Sequence, residues 1–409
     1  MLSVARAPIH VAAGHEEPIS QQMAIPLKYN LRNLVVRRTT TAMTAFSITL
    51  TVTVFIVLMA LAQGLQSSLT TTGHPLNVVI MRDGSQSETV SFVKRDALQV
   101  IRYLHGIAKD EKGEPWVSPE VIVLINLPRR GQTQGSNVTI RGVSAAGPSL
   151  RPEFKMVEGQ FFRPGLREVV VSKRISERFQ NCALGDKLRF AKGYWTVVGL
   201  FEAGNSAYNS EIWTDVNDLG QDFDREDYTD VFVRAADAGA VAGIQDQVSN
   251  DRRLHLKPVT EREYYASQTS TAAPIKAFGL FIAVLMAVGA SFAAMNTMYA
   301  AVARRTREIG TLRAMGFSRG SILFSFVVES VCIAILGGLI GCLLALPING
   351  VSTGTTNFVT FSELAFNFRV TPILLLAGMI FATVMGLLGG FFPAWRASHE
   401  NIVTALRSA

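Results

Sequence analysis

Five arginines and one glutamate lie in a single stretch of this sequence, Arg304–Ser321. Ile309, Leu312 and Met315 recur within it at helical spacing, which predicts a short helix with one apolar flank. Long apolar runs border the stretch on both sides, so it connects two segments that are long enough to span a membrane. Two interpretations follow: the short helix offers its apolar flank to a cytoplasmic partner, or the basic loop is held by anionic lipid headgroups.

The end of this short helix is marked by residue types that stop and start helices. Gly316 is typical of a C-terminal stop, and Ser318 can cap the helix that follows. That following helix contains Glu329, an acidic residue inside an apolar span, about 12 Å from the helix start at 1.5 Å per residue. An intramembrane carboxylate is costly and indicates a function. Its role is either structural, through hydrogen bonds to Asn296 or Thr297, or part of a proton path.

Four glycines have the small-xxx-small spacing that lets membrane helices approach closely. They form two pairs, Gly337 with Gly341 and Gly386 with Gly390. This spacing predicts close helix packing, either within one bundle or across a dimer.

Several kinds of catalytic chemistry have no motif in this sequence. It contains no Gly-x-x-x-x-Gly-Lys-Ser/Thr loop for nucleotide phosphates, no nucleophile elbow and no His-Glu-x-x-His. The three cysteines and six histidines show no metal-ligand spacing. We therefore expect a chain that is not itself an enzyme and holds no cofactor or metal.

The composition is that of a membrane protein. Hydrophobic residues make up 48% of the chain and charged residues 17%, which is below the quarter usual in soluble proteins. The formal net charge is +7, but many basic residues lie beside apolar spans, where lipid headgroups account for them. Membrane lipids are therefore the expected partners of this charge, and nucleic acid is not.

Hydropathy predicts four spanning helices, at 42–64, 275–302, 321–346 and 371–395. The basic residues flank the first and last spans and fill the 303–320 loop, so the positive-inside rule places both termini in the cytoplasm. Residues 65–274 and the 347–370 loop then lie outside. We expect a disordered cytoplasmic tail at 1–25, an amphipathic helix at 26–41 and a cytoplasmic C-terminus at 396–409.

The segment 65–274 is polar and long enough to fold independently. Its alternating apolar runs predict a mixed α+β domain with one helix at Ser91–Gly106 and a β-rich insertion at about 135–225. The predicted strands are Leu76–Met81, Val117–Leu127, Asn137–Val143, Glu168–Ser172, Lys187–Phe190, Trp195–Phe201 and Asp230–Arg234. The expected fold class is therefore membrane α-helical, with four transmembrane helices and a large α+β extracytoplasmic domain between helices 1 and 2.

Several short motifs together resemble those of the MacB/FtsX/LolC-type ABC transporter permeases. The matching stretches are Asn296–Met298, Arg304–Gly316, Glu329–Ser330, Pro393–Ala397 and Thr404–Arg407. The resemblance covers the three C-terminal helices strongly and the first helix and outer domain weakly. It implies that the short helix is a coupling helix that docks on a cytoplasmic ATPase. The residues it assigns to this role are Arg307, Glu308, Ile309, Gly310, Leu312, Arg313, Met315 and Gly316.

The resemblance also implies partners and a location. ATP and magnesium would bind a separate ABC ATPase subunit, and the permease would pair with itself or a related permease in a bacterial inner membrane. A periplasmic adaptor is a further expected partner. The implied function is coupling of ATP hydrolysis to a change in the extracytoplasmic domain that exports or extracts a substrate. Two alternatives stay open: an FtsX-like regulator of a cell-wall hydrolase, and a membrane carrier without an ATPase.

Overall fold

The computed structural model describes residues 38–132 and 134–400. The predicted tail at 1–25, most of the predicted amphipathic helix at 26–41 and the end of the predicted C-terminus lie outside the described residues. The chain divides into two compact units. The first unit, called the inner bundle below, consists of the described residues up to Leu50, Met286–Ile340 and the described residues from Met379 onward. The second unit consists of Thr51–Leu285 and Gly341–Gly378.

Four helices are long and apolar enough to cross a membrane among the residues that the structure describes. They are 27 to 33 residues long, and each contains an 18-residue window with a mean hydropathy between 2.2 and 2.6. Each overlaps one predicted span almost completely, with ends that differ by one to six residues. Their bounds are Arg38–Thr70 for α1, Ala272–Arg304 for α7, Arg319–Ala345 for α9 and Pro372–Ser398 for α10.

The segment between α1 and α7 forms the inserted domain, which mixes short helices with ten strands. Its helices are α2 (Arg95–Arg102), α3 (Lys173–Arg178), α4 (Val216–Asp222), α5 (Ala238–Asn250) and α6 (Glu261–Ser267). Its strands are β1 (Asn77–Arg82), β2 (Val117–Pro128), β3 (Gly135–Val143), β4 (Phe154–Gly159), β5 (Glu168–Ser172), β6 (Lys187–Phe190), β7 (Gly193–Ala203), β8 (Glu211–Asp215), β9 (Asp230–Arg234) and β10 (Leu256–Thr260).

The sheet of the inserted domain has the strand order β10-β1-β9-β2-β3-β8-β5-β7-β4, with β6 paired to β7. Strand β2 joins its two parts: Val117–Glu120 pair antiparallel with β9, and Val121–Pro128 pair antiparallel with β3. Strands β3 to β8 therefore form a second lobe between residues 135 and 215, attached through the long β2.

Both faces of the sheet are buried at β1, β5 and β9, which explains why each of these strands contains an uninterrupted apolar run. Because successive strand residues point to opposite faces, Val78 and Ile80 of β1 belong to one core cluster and Val79 and Met81 to another. The first cluster is covered by α2 and α5 through residues such as Ile101, Ile244 and Val248. The second contains the end of α1 and a hairpin from outside the inserted domain.

That hairpin lies in the segment predicted as the 347–370 outer loop. Strands β11 (Ser352–Thr356) and β12 (Glu363–Asn367) pair antiparallel between α9 and α10. The sequence did not predict it, because Ser352–Thr356 is polar and only β12 carries apolar residues.

The other differences from the predicted elements have local causes. The predicted helix Ser91–Gly106 is limited to α2, since Lys94 and Tyr103 have non-helical backbones at its ends. Strands β4, β8 and β10 were missed. Strand β4 is largely exposed, and β8 is flanked by a one-turn helix and α4, so neither shows a long alternating run. The seven predicted strands are all present with small shifts of their ends.

Candidate coupling helix and the hairpin attachment

The short helix predicted in the basic loop is present as α8, Thr306–Ala314, the remaining α-helix of the described chain. It ends where Gly316 adopts a φ of +98°, a left-handed conformation that favours glycine. The amide of Phe317 then donates to the carbonyl of Leu312 at 3.1 Å, which closes the last turn. The hydroxyl of Ser318 accepts from the amide of Ser321 at 3.1 Å and caps α9.

The apolar flank predicted on α8 is divided between two surroundings. Ile309 is 3% exposed, and Gly310 beside it is also buried, so this face packs into the inner bundle. Leu312 is half-buried, whereas Met315 is 56% exposed. The interpretation of all three as one docking flank is therefore wrong for Ile309. It belongs to a cluster with Met298, Ala301, Ile322, Phe326, Ala394 and Ala397.

An ion pair fixes the start of α8 to α9. Arg305 donates from Nη1 to Oε2 of Glu329 at 3.1 Å, and the two residues are 6% and 5% exposed. The structural partners predicted for Glu329 are wrong, because Asn296 is exposed and Thr297 shares a 2.9 Å hydrogen bond with Thr44 instead. Arg305 reaches Glu329 because it lies in the turn between α7 and α8, one residue beyond the end of α7.

The other charged residues of α8 differ in how far their side chains are exposed. Arg307 and Glu308 are exposed, and Glu308 has its carboxylate 4.0 Å from Nε of Arg305. Arg313 is half-buried. α8 thus has one face anchored in the inner bundle and another that presents Met315 with charged neighbours.

The predicted packing glycines lie at helix contacts within this chain. A Cβ at Gly337 would lie 2.8 Å from the carbonyl oxygen of Ala45, so α9 approaches α1 closely there. A Cβ at Gly386 would lie 2.5 Å from Cβ of Ala334, and one at Gly390 2.5 Å from Cβ of Ser330, both at the α9–α10 contact. The carbonyl of Gly341 accepts a 3.3 Å hydrogen bond from a threonine of α1, Thr53.

The β11–β12 hairpin attaches α9 and α10 to the inserted domain. Leu364 and Phe366 of β12 are 4% and 1% exposed in the cluster that also holds Leu65 and Leu69 of α1. The amide of Ala365 donates to the Ser210 hydroxyl at 2.7 Å. A further buried hydrogen bond of 2.7 Å joins the side chains of Asn357 and Gln268.

A buried carboxylate strengthens this attachment. The side chain of Glu363 is fully buried and pairs at 2.5 Å with Arg129, at the end of β2, and at 2.5 Å with Arg178, at the end of α3. Since the second lobe supplies Arg178 and the β2 connection supplies Arg129, one carboxylate of the hairpin links both.

Comparison with known proteins identifies both parts of this architecture. A model of the MacB-like periplasmic core domain matches residues 41–251, which is more than half of the chain. A model of the FtsX-like permease C-terminal region matches residues 280–402. The chain belongs to the FtsX-like permeases with a MacB-like periplasmic core domain. The matched C-terminal region includes α8, Glu329 and the hairpin.

The relatives of this FtsX-like permease are similar over part of their length. The chain is 26% identical over 253 residues to the "Macrolide export ATP-binding/permease protein MacB" of Neisseria gonorrhoeae, covering 58% of this chain and 38% of that protein. It is 26% identical over 346 residues to MacB 1 of Aeromonas hydrophila, covering 78% of this chain and 49% of that protein. The chain thus spans half or less of the length of these curated relatives.

Solved structures of two extracytoplasmic regions match part of this chain at low similarity. The extracellular domain of the noncanonic ABC-type transporter YknZ from Gram-positive bacteria gives a TM-score of 0.34 at 15% identity, covering 45% of this chain and all of that one. The periplasmic region of MacB from Actinobacillus actinomycetemcomitans gives 0.35 at 12% identity, covering 46% and 90%.

The MacB-like domain of this permease contains a buried charge network that the sequence did not reveal. Arg141, whose side chain is 1% exposed, pairs with Glu211 at 2.7 Å, Glu120 at 2.8 Å and Glu88 at 3.1 Å. Arg151, equally buried, pairs with Glu120 at 2.7 Å. The network crosses from β2 and β3 to β8, so it ties the two parts of the sheet together.

Acidic groups outnumber the arginines in this network. Asp230 is fully buried nearby, and its pKa is held well above its ordinary value by burial and by the negative charges of Glu88 and Glu120. Burial also raises the pKa of Glu88. The sequence carried no sign of this burial, because Arg141 and Thr139 alternate with Val138 and Ile140 along β3, a pattern that favours an exposed Arg141.

The structure contains no group of metal ligands among the described residues. Cys182 is fully buried, and burial raises its pKa to about 12, so it is an inert thiol.

Proposed function

We propose that this chain is the membrane subunit of an ABC-type system, in which α8 docks on a cytoplasmic ATPase and transmits its movement to the inserted domain. The proposal rests on the fact that one side of α8 is buried and another side is exposed. Ile309 and Arg305 anchor it in the inner bundle, while Met315 and the charged residues beside it are exposed. A helix that is fixed on one side and accessible on the other can pass displacement from a partner to the bundle.

The proposed orientation rests on the positive-inside rule. Four arginines in or directly beside the short connection between α7 and α9, Arg304, Arg307, Arg313 and Arg319, support a cytoplasmic location for α8 in a bacterial inner-membrane protein. The inserted domain and the hairpin then lie on the opposite side, and both termini are cytoplasmic.

The ATPase is proposed to be a partner subunit. The relatives named ATP-binding/permease proteins support an ATP-binding component that works with this permease. ATP and magnesium would then bind to the partner. A second permease chain, identical or related, and a periplasmic adaptor complete the proposed assembly.

The proposed action is mechanical, and its task is to export or extract a substrate on the far side of the membrane. α1 and α7 lead directly into the inserted domain, and α9 and α10 are joined to that domain through the buried β12 residues and Glu363. All four spanning helices therefore have an attachment to it. The buried pairing of Glu329 with Arg305 argues against a proton path through that carboxylate, and with it against a proton-driven carrier.

The test is site-specific photocrosslinking from α8 in intact cells. A photoreactive amino acid at Met315 is expected to capture a polypeptide that carries Walker motifs, identified by mass spectrometry. The same group at Tyr103 of the inserted domain, which is 83% exposed, serves as the control and is expected not to capture it. Capture of lipid alone at position 315 would contradict docking at α8.

Charge insertion gives a matched second arm of the test. Leu312→Glu and Met315→Glu are expected to abolish copurification of the captured ATPase, because a desolvated carboxylate at the docking face costs several kcal/mol. Thr311→Glu, at an exposed position of the same helix, is the control and is expected to retain it. Capture of an ATPase together with a cell-wall hydrolase at the inserted domain would favour the regulator over the transporter.

A further inference from the structure

A polar cavity of about 630 Å³ lies beside the attachment of the hairpin. Its walls come from the places where three spanning helices end: Ser67 in the last turn of α1 and Thr71 directly after it, Asn349 a few residues after α9 and Arg369 shortly before α10. The inserted domain closes the opposite side with residues that include Arg174 of α3. Because three apolar helices stop beside the cavity, the orientation proposed above puts it at the level of the lipid headgroups.

The charge of this cavity is positive and incompletely neutralised. Arg174 and Arg369 line it, against one lining carboxylate, that of Glu153. Arg174 makes one hydrogen bond, to the carbonyl of Ala365 at 3.3 Å, and no carboxylate lies within 4.0 Å of it in the described chain. Burial lowers the pKa of Arg174, and the negative charges of Glu202 and Glu177 offset this only in part. Its neighbour Arg178, by contrast, pairs with Glu363.

Side-chain amides in the cavity wall provide neutral hydrogen-bonding groups beside the two guanidinium groups. Asn349 accepts from the amide of Val370 at 2.9 Å through Oδ1, which leaves its side-chain NH₂ group for another acceptor. Asn205 holds the end of α1 by donating to Ser67 at 3.3 Å and by accepting from Thr71 at 2.7 Å. Guanidinium and amide donors arranged around an open volume match the oxygens of a phosphate group.

Apolar side chains are exposed on the segments of chain next to the cavity-lining residues. Phe368 lines the cavity, while Leu346, directly after α9, and Ile373, in the first turn of α10, are 44% and 79% exposed. A ligand with a phosphate group and an adjoining hydrocarbon chain satisfies both surfaces. We propose that this cavity binds the phosphate headgroup of an anionic amphiphile, with Arg174 and Arg369 as its phosphate-binding residues. The proposal deepens the function above, because it rests on the same orientation and names the chemical class of a ligand.

The test measures lipid binding to the purified full-length chain in detergent, without ATPase or ATP, by native mass spectrometry. The probe is dioleoyl phosphatidylglycerol, and inorganic phosphate is added in a separate arm. Arg174→Gln and Arg369→Gln are each expected to weaken lipid binding about tenfold, as loss of one charge-assisted hydrogen bond does. Glu153→Gln is expected to strengthen it, because it removes the one lining carboxylate.

Two controls keep the outcomes distinct. Arg252→Gln removes an exposed charge far along the chain from this cavity and is expected to leave binding unchanged. Arg369 is exposed, so its variant reports binding even if Arg174→Gln disturbs the hairpin through Ala365. Equal lipid binding by wild type and both arginine variants overturns the proposal. Displacement of the lipid by millimolar inorganic phosphate would show a site for free phosphate and overturn the amphiphile assignment. Neither result bears on ATPase docking at α8.

Discussion

Nη1 of Arg305 lies 3.1 Å from Oε2 of Glu329, and each side chain is only 7% exposed. The pair joins the turn before α8 to the middle of the facing helix α9. An ion pair with so little exposure stabilises mainly by preventing an unpaired buried charge. It therefore defines the position of α8 without requiring a proton to move.

Removing either partner of this pair should destabilise the inner bundle. Glu329→Ala and Arg305→Ala each remove one partner of this buried ion pair and are expected to cost about 3–5 kcal/mol. The double replacement by methionine is expected to recover most of that loss. Thermal unfolding in detergent measures all three variants. A double variant as unstable as the sum of the single ones would show that the two residues do not act as a pair.

The hairpin should contribute measurably to the stability of the inserted domain. Glu363→Ala removes both ion pairs, and since Arg129 and Arg178 are 27% and 23% exposed and can be hydrated, the expected cost is about 1.5–3 kcal/mol. Glu111→Ala, an exposed acidic residue, is the control. Differential scanning calorimetry of the full chain gives the comparison. Identical unfolding temperatures for the two variants would contradict the attachment.

The isolated inserted domain gives a second test of whether the hairpin stabilises it. We expect residues 66–272 to fold cooperatively, but with lower stability than a version carrying the hairpin residues on a linker. Leu364 and Phe366 are almost fully buried, and each is worth about 1.5–3 kcal/mol of apolar burial. Chemical denaturation of both versions measures the difference. Equal stability would mean that the hairpin is a passive loop.

The charge network predicts a pH dependence whose sign follows from Asp230. Its pKa is raised in the folded state by burial and neighbouring negative charges, so the folded state binds the proton more tightly than the unfolded state does. Its contribution to stability is greatest below the unfolded value of about 3.9 and is lost as pH rises toward the folded value. Asp230→Asn mimics the protonated form and should flatten the fall in unfolding temperature as the pH rises above about 3.9. An unchanged slope would show that Asp230 is not the titrating group.

Much of this architecture was predictable because it follows from periodicity and apolar length. The four long helices, seven strands and α8 with its Gly316 stop are local patterns, each contained in a short window of sequence. The network around Arg141 and the pairing of Glu363 join residues far apart in the chain. A single charged side chain within a strand does not indicate which distant residue it pairs with, so the sequence could not predict these contacts. The sequence drew attention to Glu329 as an acidic residue in an apolar span, but its partner was sought within a neighbouring span rather than in the turn at Arg305.

The central claim is that events at α8 move the inserted domain, and the distance between two spin labels tests it most directly. The labels are placed at Tyr103 of the inserted domain and Phe324 of α9, which are 83% and 64% exposed, in a background without Cys182, Cys332 and Cys342. The measurement is made in the presence of the ATPase that photocrosslinking at Met315 identifies. Trapping the nucleotide-bound state of that ATPase is expected to change the distance distribution in the wild-type sequence and to leave it unchanged in Met315→Glu. An identical distribution with and without trapped nucleotide in the wild-type sequence would contradict the account.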